Sequence, residues 1–434
     1  MSIDRRTLIA TGAAALAATS RARAAGASFP LGFLWGAATA GHQVEGNNTA
    51  SDLWLLENVK PTIFAEPSGD AVNSLELWPV DLDLVKGLGL NTYRFSLEWA
   101  RIQPEPGLWS LAMLDHYKAM IDGCRARGLT AVVTFNHYTA PRWFSAQGGW
   151  TAPDAPGLFA RFCERAARHL GAGIGYATTL NEPNIMNILR VVLPKEFLAG
   201  QRAMLEAAAR ASGTPRFVAG NAANPEDIDV MTANLIAGHK AGRDAIKAVR
   251  PELPVGVSLA MLDDQAAGPG SRRDAVRSEL YGQWLQAARE SADFIGVQNY
   301  ERVVWDANGR LPPPPGAKLN YMGAEIYPPS LAGAVRYAYA ETKLPVIVTE
   351  HGVGTDDDSI RAALIPAALA ELKRAMDEGV PVKGYVHWSL LDNFEWISGY
   401  RPHFGLVAVD RTTFRRTPKP SAAVLGAIAR RNGL

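Results

Sequence analysis

The sequence predicts an α/β fold, a single-domain (β/α)8 TIM barrel, on three observations. Short β-rich runs recur eight times, segments with helical periodicity lie between them, and no linker or internal repeat divides the 434 residues. Length alone would also allow two or three domains. The predicted strands lie near Phe33–Ala37, Thr92–Ser96, Thr130–Phe135, Tyr176–Leu180, Val255–Leu259, Phe294–Asn299, Val346–Thr349 and Gly384–Ser389.

Apolar residues between these strands repeat at the spacing of a helix face. One set precedes the fourth strand and another follows the seventh: Leu158, Phe159, Phe162, Cys163, Ala166, Ala167 and Leu170, then Ile365, Leu369, Leu372 and Met376. The longest interval, between the fourth and fifth strands, has room for an extra loop and helices. The proline-rich segment Leu311–Gly316 is interpreted as a stiff loop after the sixth strand.

Composition excludes several classes of protein. With 47% hydrophobic and 20% charged residues, the chain can bury a large core and is not of the disordered type. The net charge is +1 and no basic run occurs, so no nucleic-acid partner is predicted. Eleven Trp and twelve Tyr residues are compatible with sugar or base contacts, but most buried Trp residues belong to cores.

The N-terminal stretch is interpreted as a signal peptide, residues 1–24, followed by the barrel domain, residues 25–434. Arg5 and Arg6 precede the apolar stretch Leu8–Ala18, and Ala22–Ala24 forms a small-x-small cleavage site. The paired arginines resemble a twin-arginine signal. Export, to the periplasm of a bacterium, is therefore expected. Since no second run reaches membrane length, no membrane association is expected after signal removal.

Two cysteines, Cys124 and Cys163, both lie in segments of helical pattern. An exported protein could pair them in a disulfide. Because Cys163 lies on an apolar helix face, two separate buried thiols are the favoured interpretation, and pairing remains the alternative.

Polar and aromatic residues follow the predicted strands, where barrel enzymes carry their chemistry. Glu182 ends the fourth strand and Glu350 the seventh, so the two carboxylates are expected to face each other across the mouth. Glycosidic cleavage requires such a pair, although barrel mouths also hold Glu residues for metals or structure. No serine elbow, phosphate-binding glycine loop or zinc-binding His pair occurs, so neither a metal nor a cofactor is predicted.

Five blocks of the sequence resemble glycoside hydrolase family 1, the β-glucosidase family. The similarity runs from about Phe29 to Ser421, nearly the whole mature chain. The blocks are FPLGFLWGAATA from Phe29 with QVEG from Gln43, YRFSLEWARI from Tyr93, TLNEP from Thr179, VTEHG from Val348, and WSLLDNFEW from Trp388. The resemblance implies a retaining β-glycosidase, a β-glucosidase that releases terminal non-reducing β-D-glucosyl residues through a covalent glycosyl-enzyme intermediate.

The resemblance also implies roles for individual residues. Glu182 is implied as the general acid and then the general base. Glu350 is implied as the nucleophile, kept ionised by Arg94 and Tyr300. Tyr300 also counts among the substrate-binding residues, together with Asn181 at the sugar 2-hydroxyl, Trp388 as a platform under the ring, and Gln43, His137, Glu395 and Trp396 at the other hydroxyls. In this family the peptide after the strand-eight Trp is often cis, which implies a cis bond between Trp388 and Ser389.

Some positions depart from the family pattern. His351 follows the nucleophile where Asn is usual, Tyr138 and Gln298 replace Trp and Asn, and Asn184 and Ala324 stand where outer aromatic walls are common. These outer changes leave the identity of the leaving group open.

The sequence leaves other functions open. β-Galactosidase or β-fucosidase specificity and a non-catalytic sugar-binding relative are the main alternatives. A 6-phospho-β-glycosidase is disfavoured, because Glu395 would repel a phosphate at the 6-position. The predicted partner is a small-molecule β-glycoside, and the oligomeric state is left open.

Overall fold

The computed structural model describes residues 28–192 and 195–434, so the predicted signal peptide lies outside the described residues. Eight parallel strands close into a barrel. They are β1 (Leu34–Ala38), β2 (Thr92–Ser96), β3 (Thr130–Asn136), β4 (Ile174–Asn181), β5 (Val255–Ala260), β6 (Ile295–Asn299), β7 (Val346–His351) and β8 (Val382–Trp388).

The order around the barrel is β1-β8-β7-β6-β5-β4-β3-β2, so the first and last strands are neighbours. Leu34 aligns with Gly384 and Ala38 with Trp388 across this closing pair. Because all eight strands are parallel, their carboxyl ends open at one end, called the mouth here. The predicted α/β barrel is confirmed.

Helices connect the strands and cover the barrel. Two further two-stranded sheets join Asp263–Ala266 to Arg302–Trp305 and Val407–Val409 to Arg416–Pro418. The helices of the described residues span Gly41–Val44, Asp52–Asn58, Ser74–Gly87, Trp99–Ile102, Leu111–Ala126, Arg142–Ala146, Ala155–Leu170, Ile185–Val192, Lys195–Ser212, Ile228–Val249, Arg273–Ser291, Ser330–Thr342, Asp358–Asp377 and Pro420–Arg431. Short 3-10 turns span Gly149–Thr151, Gly171–Gly173, Pro225–Asp227 and Trp396–Ser398.

The helix Ala155–Leu170 buries the apolar face that its spacing predicts, with Leu158 at the partly exposed edge. It packs closely against the helix Ile228–Val249, which follows it around the barrel. A Cβ added at Gly238 of the second helix would lie 2.7 Å from the Trp150 ring, so glycine permits this close approach. Cys163 is buried in this interface, and both cysteines are free thiols, as the favoured interpretation expected.

A second apolar cluster, called the wall cluster here, lies over part of the mouth. It joins loops that follow different strands: Leu53 and Leu56 after β1, Met204 and Phe217 after β4, and Phe394 after β8. The long interval between β4 and β5 supplies much of it. The wall cluster thereby fixes the loop that carries Glu395 and Trp396.

The two ends of the described chain meet at the end of the barrel opposite the mouth. The Phe29 N–H donates to the Asn432 carbonyl (2.8 Å), and the Asn432 amide donates to the Phe29 carbonyl (2.7 Å). The Trp35 indole N–H donates to the Asn432 side chain (2.9 Å), which ties both ends to β1. Across residues 28–192 and 195–434, no helix has both the length and the apolar character that a membrane span requires.

Candidate active site

Two carboxylates stand at the mouth. Glu182 directly follows β4 and Glu350 lies in β7, with β5 and β6 between these strands in the closed order. Glu350 is 4% exposed, and Glu182 remains partly accessible. The charge of Glu350 acts on Glu182, so the two carboxylates lie near each other at the mouth, where the sequence predicts them.

Three side chains hold the Glu350 carboxylate. Arg94 from β2 donates to Glu350 Oε1 at 2.6 Å, and the Tyr300 hydroxyl donates to Oε2 at 2.6 Å. Gln298 donates its amide to Oε1 at 2.9 Å. Sequence reasoning expected the first two donors. It missed the third, although it noted Gln298 as a departure from the family pattern.

Glu182 has a different environment. Its backbone lies in the left-handed region with φ of 43°, which is uncommon for a residue with a Cβ. Its N–H donates to the Ser258 carbonyl of β5 at 2.7 Å. The Tyr138 hydroxyl donates to its Oε2. Strained backbone at such a position is typical of functional sites, because the surrounding fold must hold it in place.

Electrostatics separate the two carboxyl groups. Burial, reinforced by the negative charge of Glu350, raises the pKa of Glu182 to about 8. Burial raises the pKa of Glu350 too, but the Arg94 charge and the three hydrogen bonds oppose that rise. Since the group with more donors retains the negative charge, the proton that the pair shares resides on Glu182.

Asn181 connects the Glu350 environment to His137. The Asn181 Oδ1 accepts from Arg94 at 2.5 Å and from Gln298 at 2.7 Å, so its Nδ2 faces His137 Nε2 at 3.1 Å as a donor. Burial lowers the pKa of His137 well below its usual value, which keeps the ring neutral. With Nε2 accepting, the ring proton lies on Nδ1, which has no protein partner among the described residues.

Aromatic rings lie beside the polar residues of the site. The His137 ring lies nearly parallel to the Trp388 and Trp396 rings, with centroids 5.7 Å and 6.0 Å away. Glu395 accepts from the Trp388 indole at 3.2 Å and from Gln43 at 3.3 Å. The peptide bond between Trp388 and Ser389 is cis, as the resemblance implied.

All the predicted site residues belong to one set that hydrogen bonds and ring contacts connect, in part through Tyr138. The set comprises Gln43, Arg94, His137, Asn181, Glu182, Tyr300, Glu350, Trp388, Glu395 and Trp396, which come from the ends of seven strands. None of them belongs to a separate part of the molecule.

Sequence reasoning missed a buried polar network beneath these residues. His42, next to Gln43, bonds to Glu57 at 2.7 Å. The Glu98 carboxylate accepts from the His42 N–H at 2.9 Å and from the Thr139 hydroxyl at 2.8 Å, which ties the loop after β1 to the loop after β3. The positions of His42 and Glu98 at strand ends were visible in the sequence, but their partners are distant in the chain.

The residues at the two outer departures, Asn184 and Ala324, are both buried. Asn184 is fully buried, and its side chain donates to the Ala260 carbonyl (2.8 Å) and accepts from the Ala260 N–H (3.1 Å). Ala324 is 3% exposed. Asn184 therefore fastens the loop after β4 to the end of β5. Among the described residues, no group of three or more His, Cys, Asp or Glu side chains is placed to hold a metal ion.

Comparison with known proteins agrees with this architecture. The family model described as "Glycosyl hydrolase family 1" matches residues 25–208 and 285–434. The chain is 30% identical to "Thermostable beta-glucosidase B" of Thermobispora bispora, over 94% of this chain and 92% of that protein. It is 29% identical to "Beta-glucosidase" of Agrobacterium sp., over 93% and 95%.

Solved structures show the same likeness. "Apo structure of a beta-glucosidase 1317" superposes with a TM-score of 0.89 at 43% identity, over 92% of this chain and 98% of that one. "Crystal structure of beta-glycosidase BGL167" gives 0.88 at 46% identity, over 94% and 98%. The barrel and its paired carboxylates are those of a glycoside hydrolase. The chain belongs to glycosyl hydrolase family 1.

Proposed function

We propose that this glycoside hydrolase is a retaining β-glucosidase, with Glu182 as acid and base and Glu350 as nucleophile. The observation that carries the proposal is the unequal environment of the two carboxyl groups. Glu350 accepts from Arg94, Tyr300 and Gln298, whereas Glu182 accepts one hydroxyl and has a pKa raised to about 8. One group is therefore charged and the other protonated near neutral pH, as double displacement requires.

In the first step, the Glu350 carboxylate attacks the anomeric carbon of the substrate. The bond between that carbon and the glycosidic oxygen breaks, and Glu182 gives its proton to the departing oxygen. The products are the free alcohol, an ester between Glu350 and the sugar, and an ionised Glu182. Arg94 and Tyr300 orient Glu350 for attack through their hydrogen bonds to its two oxygens.

The second step reverses the roles. Esterification removes the Glu350 charge, which contributes to the raised pKa of Glu182. The pKa of Glu182 therefore falls, and the carboxylate can take a proton from a water molecule that attacks the anomeric carbon. The ester bond breaks, Glu350 regains its charge, and the sugar leaves with the β-configuration it had in the substrate.

Unpartnered polar atoms around the cavity support sugar binding. The Gln43 Oε1 and the His137 Nδ1 are buried without a protein partner in the described part of the chain. One is an acceptor and the other a donor, and sugar hydroxyls can satisfy both. The Trp388 and Trp396 rings supply apolar surface for the sugar face. Glucose is proposed as the sugar because the similar curated proteins quoted above are named β-glucosidases.

A substrate panel with product analysis tests the proposal. The protein is assayed with 4-nitrophenyl β-glucoside, β-galactoside, β-fucoside and β-glucoside 6-phosphate, each with and without a chelator. We expect the highest kcat/KM for the β-glucoside, no effect of the chelator, and β-glucose as the first anomer in proton NMR. A first product of α-configuration would refute retention, and a faster β-galactoside would refute the sugar assignment.

We also propose that residues 1–24 are a twin-arginine-type signal peptide and that the mature protein is periplasmic. The support is the sequence itself: Arg5 and Arg6, the apolar stretch after them, and the small residues Ala22 and Ala24. N-terminal sequencing of the protein from a periplasmic fraction is expected to begin at Ala25. The double variant Arg5→Lys, Arg6→Lys is expected to stay in the cytoplasm. Export of that variant would refute the twin-arginine route.

A further inference from the structure

Tyr138 contacts the group that we assign as the acid, and neither step above uses its hydroxyl. The hydroxyl donates to Glu182 Oε2. We propose that Tyr138 is a positioning residue for Glu182: it fixes Oε2, leaves Oε1 to exchange the catalytic proton, and sets the upper pH limit of activity. This inference rests on the proposed role of Glu182. The resembling family commonly has Trp here, and Trp has no hydroxyl with which to make this contact.

The fold holds the Tyr138 side chain firmly. Its backbone has φ of 68°, and a Cβ added at Gly220 would lie 2.1 Å from its carbonyl oxygen. The ring packs edge-on against Trp396 at 5.3 Å and against His137 at 5.1 Å, and the residue is 7% exposed. The hydroxyl is therefore presented to Glu182 by a close-packed turn and not by a mobile surface side chain.

The hydrogen bond opposes the other influences on Glu182. Burial and the charge of Glu350 favour the protonated form, while donation by Tyr138 favours the carboxylate. The titratable and charged groups facing Glu182 are Arg94 from β2, Tyr138 after β3, Tyr300 after β6 and Glu350 from β7. Burial raises the pKa of Tyr138 itself well above 10, so its hydroxyl remains a donor throughout the working pH range.

The test is the pH profile of kcat/KM for Tyr138→Phe. Without the donor, the pKa of Glu182 rises, so the alkaline limb is expected to move upward by about one pH unit, the shift that corresponds to one hydrogen bond to a charged group. The weaker acid should slow alkyl β-glucosides more than 2,4-dinitrophenyl β-glucoside, whose leaving group needs little protonation. The proposal would be overturned if the alkaline limb stays at its wild-type pH and Tyr138→Phe loses the same fraction of kcat/KM with both substrates.

A matched control is Tyr281→Phe. Tyr281, in the helix Arg273–Ser291, also donates its hydroxyl to a buried carboxylate, Asp264 at 3.0 Å, and Asp264 is not one of the predicted site residues. Tyr281→Phe should lower the free energy of unfolding without moving the alkaline limb of the kcat/KM profile. If Tyr138→Phe folds poorly, Gly220→Ala provides a second test. This variant keeps the Tyr138 hydroxyl but displaces the turn that carries it. It should also slow alkyl glucosides selectively, and an equal loss for both substrates would count against the proposal.

Glu182→Gln, assayed beside the wild-type protein with 4-nitrophenyl β-glucoside, distinguishes a failure of the Tyr138 proposal from a failure of the Glu182 assignment. Loss of the alkaline limb in Glu182→Gln together with an unmoved limb in Tyr138→Phe overturns the role of Tyr138 alone. Retention of the wild-type limb in Glu182→Gln overturns the assignment of Glu182, and the present proposal with it.

Discussion

Glu182 and Glu350 are chemically identical side chains whose neighbours give them opposite protonation. Arg94 carries a permanent charge and contacts Glu350, while Glu182 receives one neutral hydroxyl. The position of each Glu at the end of a predicted strand, with the family blocks, predicts that both lie at the mouth. The Tyr138 hydroxyl on Glu182 could not be predicted, because it depends on a left-handed turn that a local pattern does not specify.

The pH dependence of kcat/KM follows from these environments. Glu182 must be protonated, so activity is present below its pKa of about 8 and is lost as the pH rises through that value. Glu350 must be ionised, so activity is lost as the pH falls through its pKa, which burial raises above the usual value. We expect a bell-shaped profile for 4-nitrophenyl β-glucoside. A profile that stays flat from neutral pH to well above pH 8 would contradict the assignment of the acid.

Azide rescue distinguishes the two roles. Glu350→Ala should lose turnover and regain it with azide, which attacks from the vacated nucleophile side and yields the α-glucosyl azide. Glu182→Ala should retain the first step for activated aryl glucosides, and azide should accelerate the second step to give the β-azide. The wild-type enzyme, assayed with the same azide concentrations, is the control. The same azide anomer from both variants would show that the roles are misassigned.

At the scale of elements, the predicted strands agree with the structure to within two residues at each end. The agreement follows because each barrel strand is a short run of mostly buried residues, which stands out in the sequence. The predicted end of the eighth strand at Ser389 is one residue too far, because the chain turns after Trp388 and the Ser389 N–H bonds to the Phe404 carbonyl. The wall cluster was not predictable, since its members come from loops after three different strands.

Glycines on two helices test the packing of the outer layer. A Cβ at Gly238 would lie 2.7 Å from the Trp150 ring, so Gly238→Ala is expected to destabilise the protein by about 1–3 kcal/mol through overpacking. At Gly282 the nearest group, the Ser278 hydroxyl, is 3.6 Å away. Gly282→Ala should therefore stabilise by about 0.5–1 kcal/mol through helix propensity. Urea unfolding measures both, and equal effects at the two positions would contradict the packing argument.

At the scale of the whole molecule, the site gathers side chains from almost the entire barrel. Residues at or after seven of the eight strands supply side chains to the site. The remaining strand, β5, supplies the Ser258 carbonyl that accepts from the Glu182 N–H. The fold class was predictable because strand and helix alternate along the whole sequence. The buried network of His42, Glu57 and Glu98 was not, because no local pattern pairs residues from separate loops.

A ligand that spans the site should therefore stabilise the whole chain. A gluco-configured imidazole at about a hundred times its dissociation constant is expected to add about 2.7 kcal/mol to the free energy of unfolding. Thermal denaturation with increasing ligand measures the effect. The galacto-configured epimer is the matched control, and we expect it to need a higher concentration for the same shift. Equal shifts at equal concentrations would show that the site does not distinguish glucose from galactose.

The meeting of the two ends of the described chain has a consequence for engineering. Ser28 and Gly433 form an antiparallel bridge, so their Cα atoms lie about 5 Å apart, a gap that a linker of a few residues spans. The joint lies at the end of the barrel opposite the mouth. New termini could then be opened in an exposed loop, such as the segment around Gly309, which lies between the strand Arg302–Trp305 and the helix Ser330–Thr342. A permuted enzyme of this kind would keep every strand neighbour in place while its ends sit beside a chosen surface, ready for attachment to a support or to another protein.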